Sequence, residues 1–305
     1  MSSEASAPAS AGDDSRHHPA ARLRATVRHV AILASPSKPA AAELLERVSR
    51  WMSERAVVVY CDISFDSGRA LAARPDLLVV LGGDGTLIGA VHGLRDRQVP
   101  IVGINLGKLG YMADFTLEEL EREGDFLFSG SLPITRRALM DVRLERTDGF
   151  ALHTPAVNDC VVLAGAPFHM IETVVEVDGD RVALVRGDGL IVATPSGSTA
   201  HNLAAGGPIV EPTGEAFILT PICPHALTYR PIVLDARRRI VLGLQASNEG
   251  TTVSIDGRTT SGFGQGDRIT ITRYPADFLL VRNPRHSEWH ALRRKLRWGE
   301  GPNMH

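Results

Sequence analysis

An α/β domain on a parallel sheet, followed by a β-rich, sandwich-like domain, is the fold the sequence predicts, and three observations predict it. The run Leu77-Leu78-Val79-Val80-Leu81 is apolar at every position, as a strand covered on both faces must be, and it stops at Gly82-Gly83-Asp84-Gly85. Up to about residue 130, apolar strands alternate with segments of helical period, the pattern of a parallel sheet with helices on both faces. From Leu139 the period changes to two, with Val142 and Leu144 alternating with charged residues.

The elements follow in order. Residues 1–27 are Ala-, Ser- and Pro-rich and are expected to be a disordered tail; Glu4, Asp13 and Asp14 argue against a transit peptide despite His17 and His18. His29 to Ser35 reads as a strand, and Pro39 to Glu54 as a helix with Leu44, Leu45, Val48, Trp51 and Met52 on one stripe. Ala56 to Tyr60 and Leu77 to Leu81 are strands, Ile88 to Leu94 is helical, and Val99 to Ile104 is a further strand. Thr116 and Glu119 form a capping box at the next helix start. This first, Rossmann-like unit is assigned residues 28–135. In the second, 136–273, Ile171 to Val177 pairs with Val182 to Val185 across Asp178-Gly179, and Val253 to Ile255 and Arg268 to Thr272 are short strands. Residues 274–305 are expected to return to the first domain through a basic helix, Ala291 to Trp298. The run Arg293, Arg294, Lys295 and Arg297 is the solvated face of that helix rather than an RNA-binding arm.

Composition narrows the function. A net charge of −2 and a pI near 6.6 lack the basic surplus of a general nucleic-acid or membrane binder. Cys61, Cys160 and Cys223 are odd in number, widely spaced and without C-x-x-C spacing, so neither a disulfide framework nor a zinc site is indicated, and a reducing cytoplasm is expected. No apolar run approaches the ~18 residues of a membrane span.

The glycine turn carries the chemistry. In open α/β sheets ligands bind beyond the carboxyl ends of the strands, where Gly82, Gly83 and Gly85 let a polyphosphate approach backbone N–H groups at a helix start. The chain has no G-x-x-x-x-G-K-[ST] and no dinucleotide-type G-x-G-x-x-G at this turn. Asp84, the one ionisable group there, can hold a metal, accept a hydroxyl proton or cap the helix. A second informative stretch, Arg186 to Asn202, joins a strand to a turn in which Thr194, Ser196, Ser198 and Thr199 surround Gly197; such a turn can read a nucleoside or be a plain Ser/Thr turn.

Gly82-Gly83-Asp84-Gly85, Gly103-Ile104-Asn105 with Leu109-Gly110, Asn158-Asp159, Asp188-Gly189-Leu190-Ile191 through Gly197-Ser198-Thr199-Ala200, Gly206-Gly207-Pro208-Ile209-Val210 and Thr220-Pro221-Ile222-Cys223-Pro224-His225 together resemble the bacterial type of the NAD kinase family, over His29 to Trp298. The resemblance implies transfer of the γ-phosphoryl of ATP to the adenosine ribose 2′-hydroxyl of NAD, giving NADP and ADP. It further implies a divalent metal (magnesium or manganese), a cytoplasmic homodimer or homotetramer and a role in the NAD/NADP balance, while the charge balance above leaves no nucleic-acid or membrane partner expected.

By the same resemblance Asp84 is the proton acceptor, Gly82, Gly83 and Gly85 cradle phosphates, and Asn158 and Asp159 hold the nucleotide's base and ribose hydroxyls. Many relatives carry Glu in place of Asp159. His169, Arg186 and Asp188 fall where the family lines its dinucleotide site. Thr199, Ala200, His201, Asn202, Leu203 and Ala204 form the adenine loop, His201 replacing a usual Tyr, and Arg258 stands where Gln is common. Lys108 reads as a solvated loop lysine and His225 as part of a rigid turn. Two other classes are alternatives: a lipid or diacylglycerol-type kinase with the same tetrad, which would need an apolar groove, and a non-catalytic nucleotide sensor on the same fold.

Overall fold

The computed structural model describes residues 21–36, 41–107, 110–287 and 289–297. The expectations placed on His17, His18, Pro39, Lys108, Leu109 and Trp298 lie outside the described residues.

The first layer is one seven-stranded sheet. Its strands are β1 (Ala21–Arg24), β2 (His29–Ala34), β3 (Val57–Asp62), β4 (Leu77–Leu81), β5 (Ile101–Ile104), β6 (Ser131–Arg137) and, from the far end of the chain, β19 (Phe278–Val281), in the order β1-β6-β19-β5-β4-β2-β3. From β3 to β19 the pairs are parallel, whereas β6 and β1 add antiparallel pairs at one edge. The helices α1 (Ala41–Ser53), α2 (Ser67–Ala72), α3 (Asp84–Leu94) and α4 (Leu117–Glu123) cover it. Leu77, Val79 and Leu81 of β4 face a core shared with Val48, Trp51 and Met52 of α1 and Leu117 and Leu120 of α4. Leu78 and Val80 face another core, with Ala70 and Leu71 of α2 and Leu87, Ile88 and Val91 of α3. Both faces of β4 are covered, which is why no polar residue interrupts its run.

Three local expectations are corrected. The tail assigned to residues 1–27 is not irregular throughout, since Ala21–Arg24 pairs with Ser131–Ile134 and so closes the β6 edge. Helix α3 begins at Asp84 rather than Ile88, and α2 was not expected. The capping box holds: the Thr116 hydroxyl accepts from Glu119 N (3.2 Å), and the Glu119 carboxylate from Thr116 N (2.9 Å).

The second domain is two antiparallel six-stranded sheets. One contains β7 (Met140–Glu145), β8 (Ala151–Ala156), β10 (Ile171–Val177), β11 (Asp180–Gly187), β15 (Ile240–Ala246) and β18 (Arg268–Arg273). The other contains β9 (Asp159–Leu163), β12 (Gly189–Ala193), β13 (Ala216–Ile222), β14 (Ile232–Asp235), β16 (Thr252–Ile255) and β17 (Thr259–Gly262). Val142, Val175, Leu242 and Ile271 of the first pack against Val162, Val192, Phe217 and Val253 of the second, as in a sandwich. The β10–β11 hairpin turns at Asp178 (φ 54°) and Gly179 (φ 95°), the left-handed pair that a two-residue turn requires. Two short helical pieces, Ser196–Thr199 and α5 (His201–Ala204), follow β12. After β18 the chain returns through β19, which inserts between β5 and β6, and only then forms α6 (His290–Leu296).

Candidate functional site

The glycine turn lies at the carboxyl end of β4 and opens α3. Gly83 is the residue before the helix, and a side chain added to Gly83 or Gly85 would point into open space, so both leave the N–H groups approachable. Gly82 serves packing instead, because a Cβ there would stand 2.3 Å from Thr86 Oγ1.

Asp84 is not spent on capping α3. Its Oδ2 accepts from Tyr111 N (2.8 Å), and its Oδ1 from Met112 N (3.0 Å) and Ala113 N (3.3 Å). Three amides from the loop beyond β5 therefore fix one carboxylate. Gly110 makes this possible, since a Cβ on it would fall 2.0 Å from Asp84 Oδ1. Behind the loop, buried Arg137 donates to the Tyr111 carbonyl (3.3 Å); desolvation lowers the pKa of its guanidinium to about 10 against the opposing charge of Asp84.

A second carboxylate does the same for the Asn158-Asp159 turn. Asp256, between β16 and β17, accepts from Val157 N (2.8 Å), Asn158 N (2.7 Å) and Asp159 N (3.0 Å). It also meets Nε2 of His92 on α3 at 2.6 Å. Neither His92 nor Asp256 was singled out from the sequence; the only signal was Asp256 beside Arg258 in Asp256-Gly257-Arg258. Asn158 is left with a buried Oδ1 that has no hydrogen-bond partner, as has Ser196 Oγ nearby in sequence to the hydroxyl-rich turn. Such orphaned acceptors and donors mark a place for a polar ligand. Asp159 is buried, and desolvation, then the charge of Asp256, pushes its carboxyl up to about 7.

The turn after β12 packs directly on Asn158. Thr194 N donates to the Asn158 carbonyl (2.8 Å), and Gly197 sits where a Cβ would come within 2.0 Å of that oxygen. Thr199, Ala200, His201, Leu203 and Ala204 are partly or fully exposed on this turn. Asn202 differs: it is fully buried, its amide donates to the Ser198 and Pro208 carbonyls, and its Oδ1 accepts from Thr220. It shapes the loop from within, with both amide N–H groups engaged and no exposed surface.

Arg258 is likewise engaged within the protein. Its Nη1 donates to the Gly85 carbonyl (3.1 Å), and its guanidinium lies 3.0 Å from where a Cβ of Gly89 would be. It joins the second domain to the first turn of α3. His169, Arg186 and Asp188 are exposed and bonded elsewhere, His169 through its carbonyl to Asn248, Arg186 to Glu172, and Asp188 to the Cys223 thiol, which that contact pushes up. No hydrogen bond or ion pair among the described residues joins these three to Asp84, Asn158 or Asp159.

A glycine turn open to phosphate at the carboxyl edge of a parallel sheet, with a fixed carboxylate on it and an unpaired Asn on a turn tied to the same helix, defines a nucleotide-dependent phosphotransferase class. Residues 30–130 match the ATP-NAD kinase N-terminal domain and residues 157–283 the ATP-NAD kinase C-terminal domain. The NAD kinase of Syntrophobacter fumaroxidans is 36% identical over 282 residues, which is 90% of this chain and 100% of that protein. The NAD kinase of Trichlorobacter lovleyi is 37% identical over 284 residues, 90% and 100% of the two chains. Among solved structures, an NAD kinase from Archaeoglobus fulgidus in complex with ATP superposes with a TM-score of 0.72 at 28% identity, covering 88% of this chain and 98% of that one. Yeast NADH kinase complexed with NADH shares the fold, with a TM-score of 0.79 at 24% identity over 92% and 90%. The chain belongs to the ATP-NAD kinase family and is a phosphotransferase that uses ATP to phosphorylate NAD.

Two outcomes are expected. Gly110→Ala drives a methyl into the Asp84 carboxylate and will lower stability by about 1–3 kcal/mol, with loss of NADP formation in a standard turnover assay; wild-type turnover would show that the carboxylate need not be held there. For Asp159, folding raises the pKa, so the folded state binds the proton more tightly and stability falls as pH rises from about 4 to about 7. Asp159→Asn removes that loss. Relative to wild type, the variant will gain on the order of 2 kcal/mol between pH 4.5 and pH 8, read by denaturant unfolding; a pH-independent difference would contradict the assignment.

Proposed function

We propose that Asp84 is the proton acceptor for phosphorylation of the adenosine ribose 2′-hydroxyl of NAD. The observation that carries this reading is the Asp84 carboxylate, held by three amides beside glycines that leave room for a triphosphate. In the step, the 2′-oxygen forms a bond to the γ-phosphorus of ATP as the bond from that phosphorus to the β,γ-bridging oxygen breaks. The hydroxyl proton passes to Asp84, and ADP leaves. Phosphoryl transfer has a loose transition state, so positioning counts for more than the basicity of the acceptor.

Asn158 and Asp159 hold the nucleotide in this reading, supported by the unpaired Asn158 Oδ1 and by the Asp256 carboxylate that fixes their backbone. Thr199, Ala200, His201, Leu203 and Ala204 present their exposed turn to the base. Asn202 and Arg258 act through the loop and helix they hold rather than by touching the ligand. A divalent metal, when bound, supplies charge neutralisation to the triphosphate. Among the described residues no group of three or more His, Cys, Asp and Glu side chains is arranged to hold one. That fits magnesium carried in chiefly on substrate phosphates, with Asp84 the carboxylate at hand.

His169, Arg186 and Asp188 support a site completed between copies, because they are exposed yet bonded away from Asp84. A homodimer or homotetramer follows from this reading, and no described helix is long and apolar enough to cross a membrane; a cytoplasmic location is proposed on the family resemblance alone. Light scattering of the purified protein will give a mass of two or four chains; a monomer that turns over normally would refute shared sites.

The deciding experiment is NADP formation from NAD, ATP and magnesium, read with an NADP-specific dehydrogenase. Asp84→Asn will lower turnover by about 10²-fold or more while leaving NAD binding nearly intact. Near-normal turnover in that variant would refute the role of Asp84. Transfer to lipid vesicles with none to NAD would favour a lipid kinase, and binding without turnover a sensor.

A further inference from the structure

The C-terminal segment carries a cation to the carboxylate on which the proposed transfer turns. Beyond β19, Asn283 N and His286 Nδ1 both meet the Asp114 carboxylate, at 2.9 and 2.7 Å, and His286 Nε2 lies 3.2 Å from Glu119. The His286 ring stacks on His290 at 4.1 Å and 6°, which ties α6 to the same anchor. Asp114 directly follows the three amides that hold Asp84, so one loop grips the carboxylate on one side and the C-terminal segment on the other. From that anchor Lys295 reaches back, its Nζ 3.6 Å from Asp84 Oδ2 and 4.4 Å from the centre of the Tyr111 ring.

As a contribution to stability this pair is minor, because both side chains are about a third exposed and such pairs contribute little. Its position is what matters. Asp84 is a fixed negative charge at the place where a triphosphate, itself strongly negative, must come, and the glycine turn brings no charged side chain of its own to offset it. An ammonium on a flexible four-carbon stem can hold the carboxylate and meet phosphate oxygens without leaving the site. In a chain with three lysines against a large excess of arginine, one lysine stands here.

The geometry points to Lys295 as a positioning residue for phosphoryl transfer, which offsets the charge of Asp84 and holds its Oδ2 so that the terminal phosphates of a nucleoside triphosphate can approach. The C-terminal helix is then part of donor recognition. This rests on the assignment of Asp84 above.

The test uses full-length wild type, Lys295→Met and Lys295→Arg, with ATP and NAD varied separately in the NADP assay and thermal unfolding run alongside. Lys295→Met is expected to raise the KM for ATP about ten- to hundredfold, with the KM for NAD and the melting temperature unchanged. Lys295→Arg, which keeps the charge, restores most of the loss. Unchanged ATP kinetics in Lys295→Met would overturn the proposal. So would a lowered melting temperature with both KM values shifted alike, or a failure of the arginine variant to rescue, since either marks a merely structural contact. Wild type that forms no NADP overturns the reading of the site itself, and the two failures are thereby distinguished.

Discussion

Two carboxylates, each collecting three consecutive backbone amides, are the constraint on which the arrangement depends. Asp84 gathers Tyr111, Met112 and Ala113, and Asp256 gathers Val157, Asn158 and Asp159. An ionised acceptor with three amide donors is stronger than the same number of neutral bonds, and a buried N–H left without a partner is costly. Each loop therefore has one low-energy arrangement, set by an acid that belongs to a distant element. Asp84 lies on the strand-to-helix turn of the first domain and fixes the loop beyond the neighbouring strand. Asp256 lies in the second domain and, through His92, is bound to the helix that Asp84 begins. The two clamps share α3, so the phosphate cradle and the Asn158-Asp159 turn are built against one rigid body.

The elements that the sequence made legible are those whose burial leaves a periodic trace. The Leu77–Leu81 run, the stripe of α1 and the alternation of Val142 and Leu144 each reflect a face that packs into a core. β1 left no such trace: Ala21-Arg22-Leu23-Arg24 is short and half charged, and it is a strand because β6 needs an edge partner, a requirement visible only once the sheet is assembled. Six-residue α2 is too short for a helical period, and its Asp66 cap, which accepts from Arg69 N, reads like any turn. The start of α3 reads four residues late in sequence because Gly83 and Gly85 look like a turn while the backbone has already entered the helix at Asp84.

The site shows the same division. Asp84 and Asn158-Asp159 could be singled out because local motifs carry them. His92, Asp256 and Lys295 could not, because their importance arises from contacts between segments far apart in the chain, and a lone His, a hairpin Asp and a basic helix have commonplace local explanations. In sequence the basic run of α6 reads as a solvated face. That is right for much of the helix, in which no residue is buried, and misses Lys295, whose ammonium lies beside Asp84.

Arg258 shows how a change of residue type can be absorbed by structure before it reaches chemistry. Read from the sequence, Arg258 is a cation where Gln is common. In the fold its guanidinium lies flat against the gap left by Gly89 and donates to the Gly85 carbonyl, an acceptor already inside the first turn of α3. A planar fork fits such a gap where an ammonium would not, and any side chain on Gly89 would displace it. The bond runs from the hairpin whose Asp256 holds Asn158 and Asp159 to the helix whose first residue is Asp84. Its consequence is mechanical: a shift of the second domain relative to α3 would strain the Arg258 bond and the His92 contact together. The nucleotide turn and the carboxylate thus move as one unit, which a loose transition state, dependent on alignment, requires.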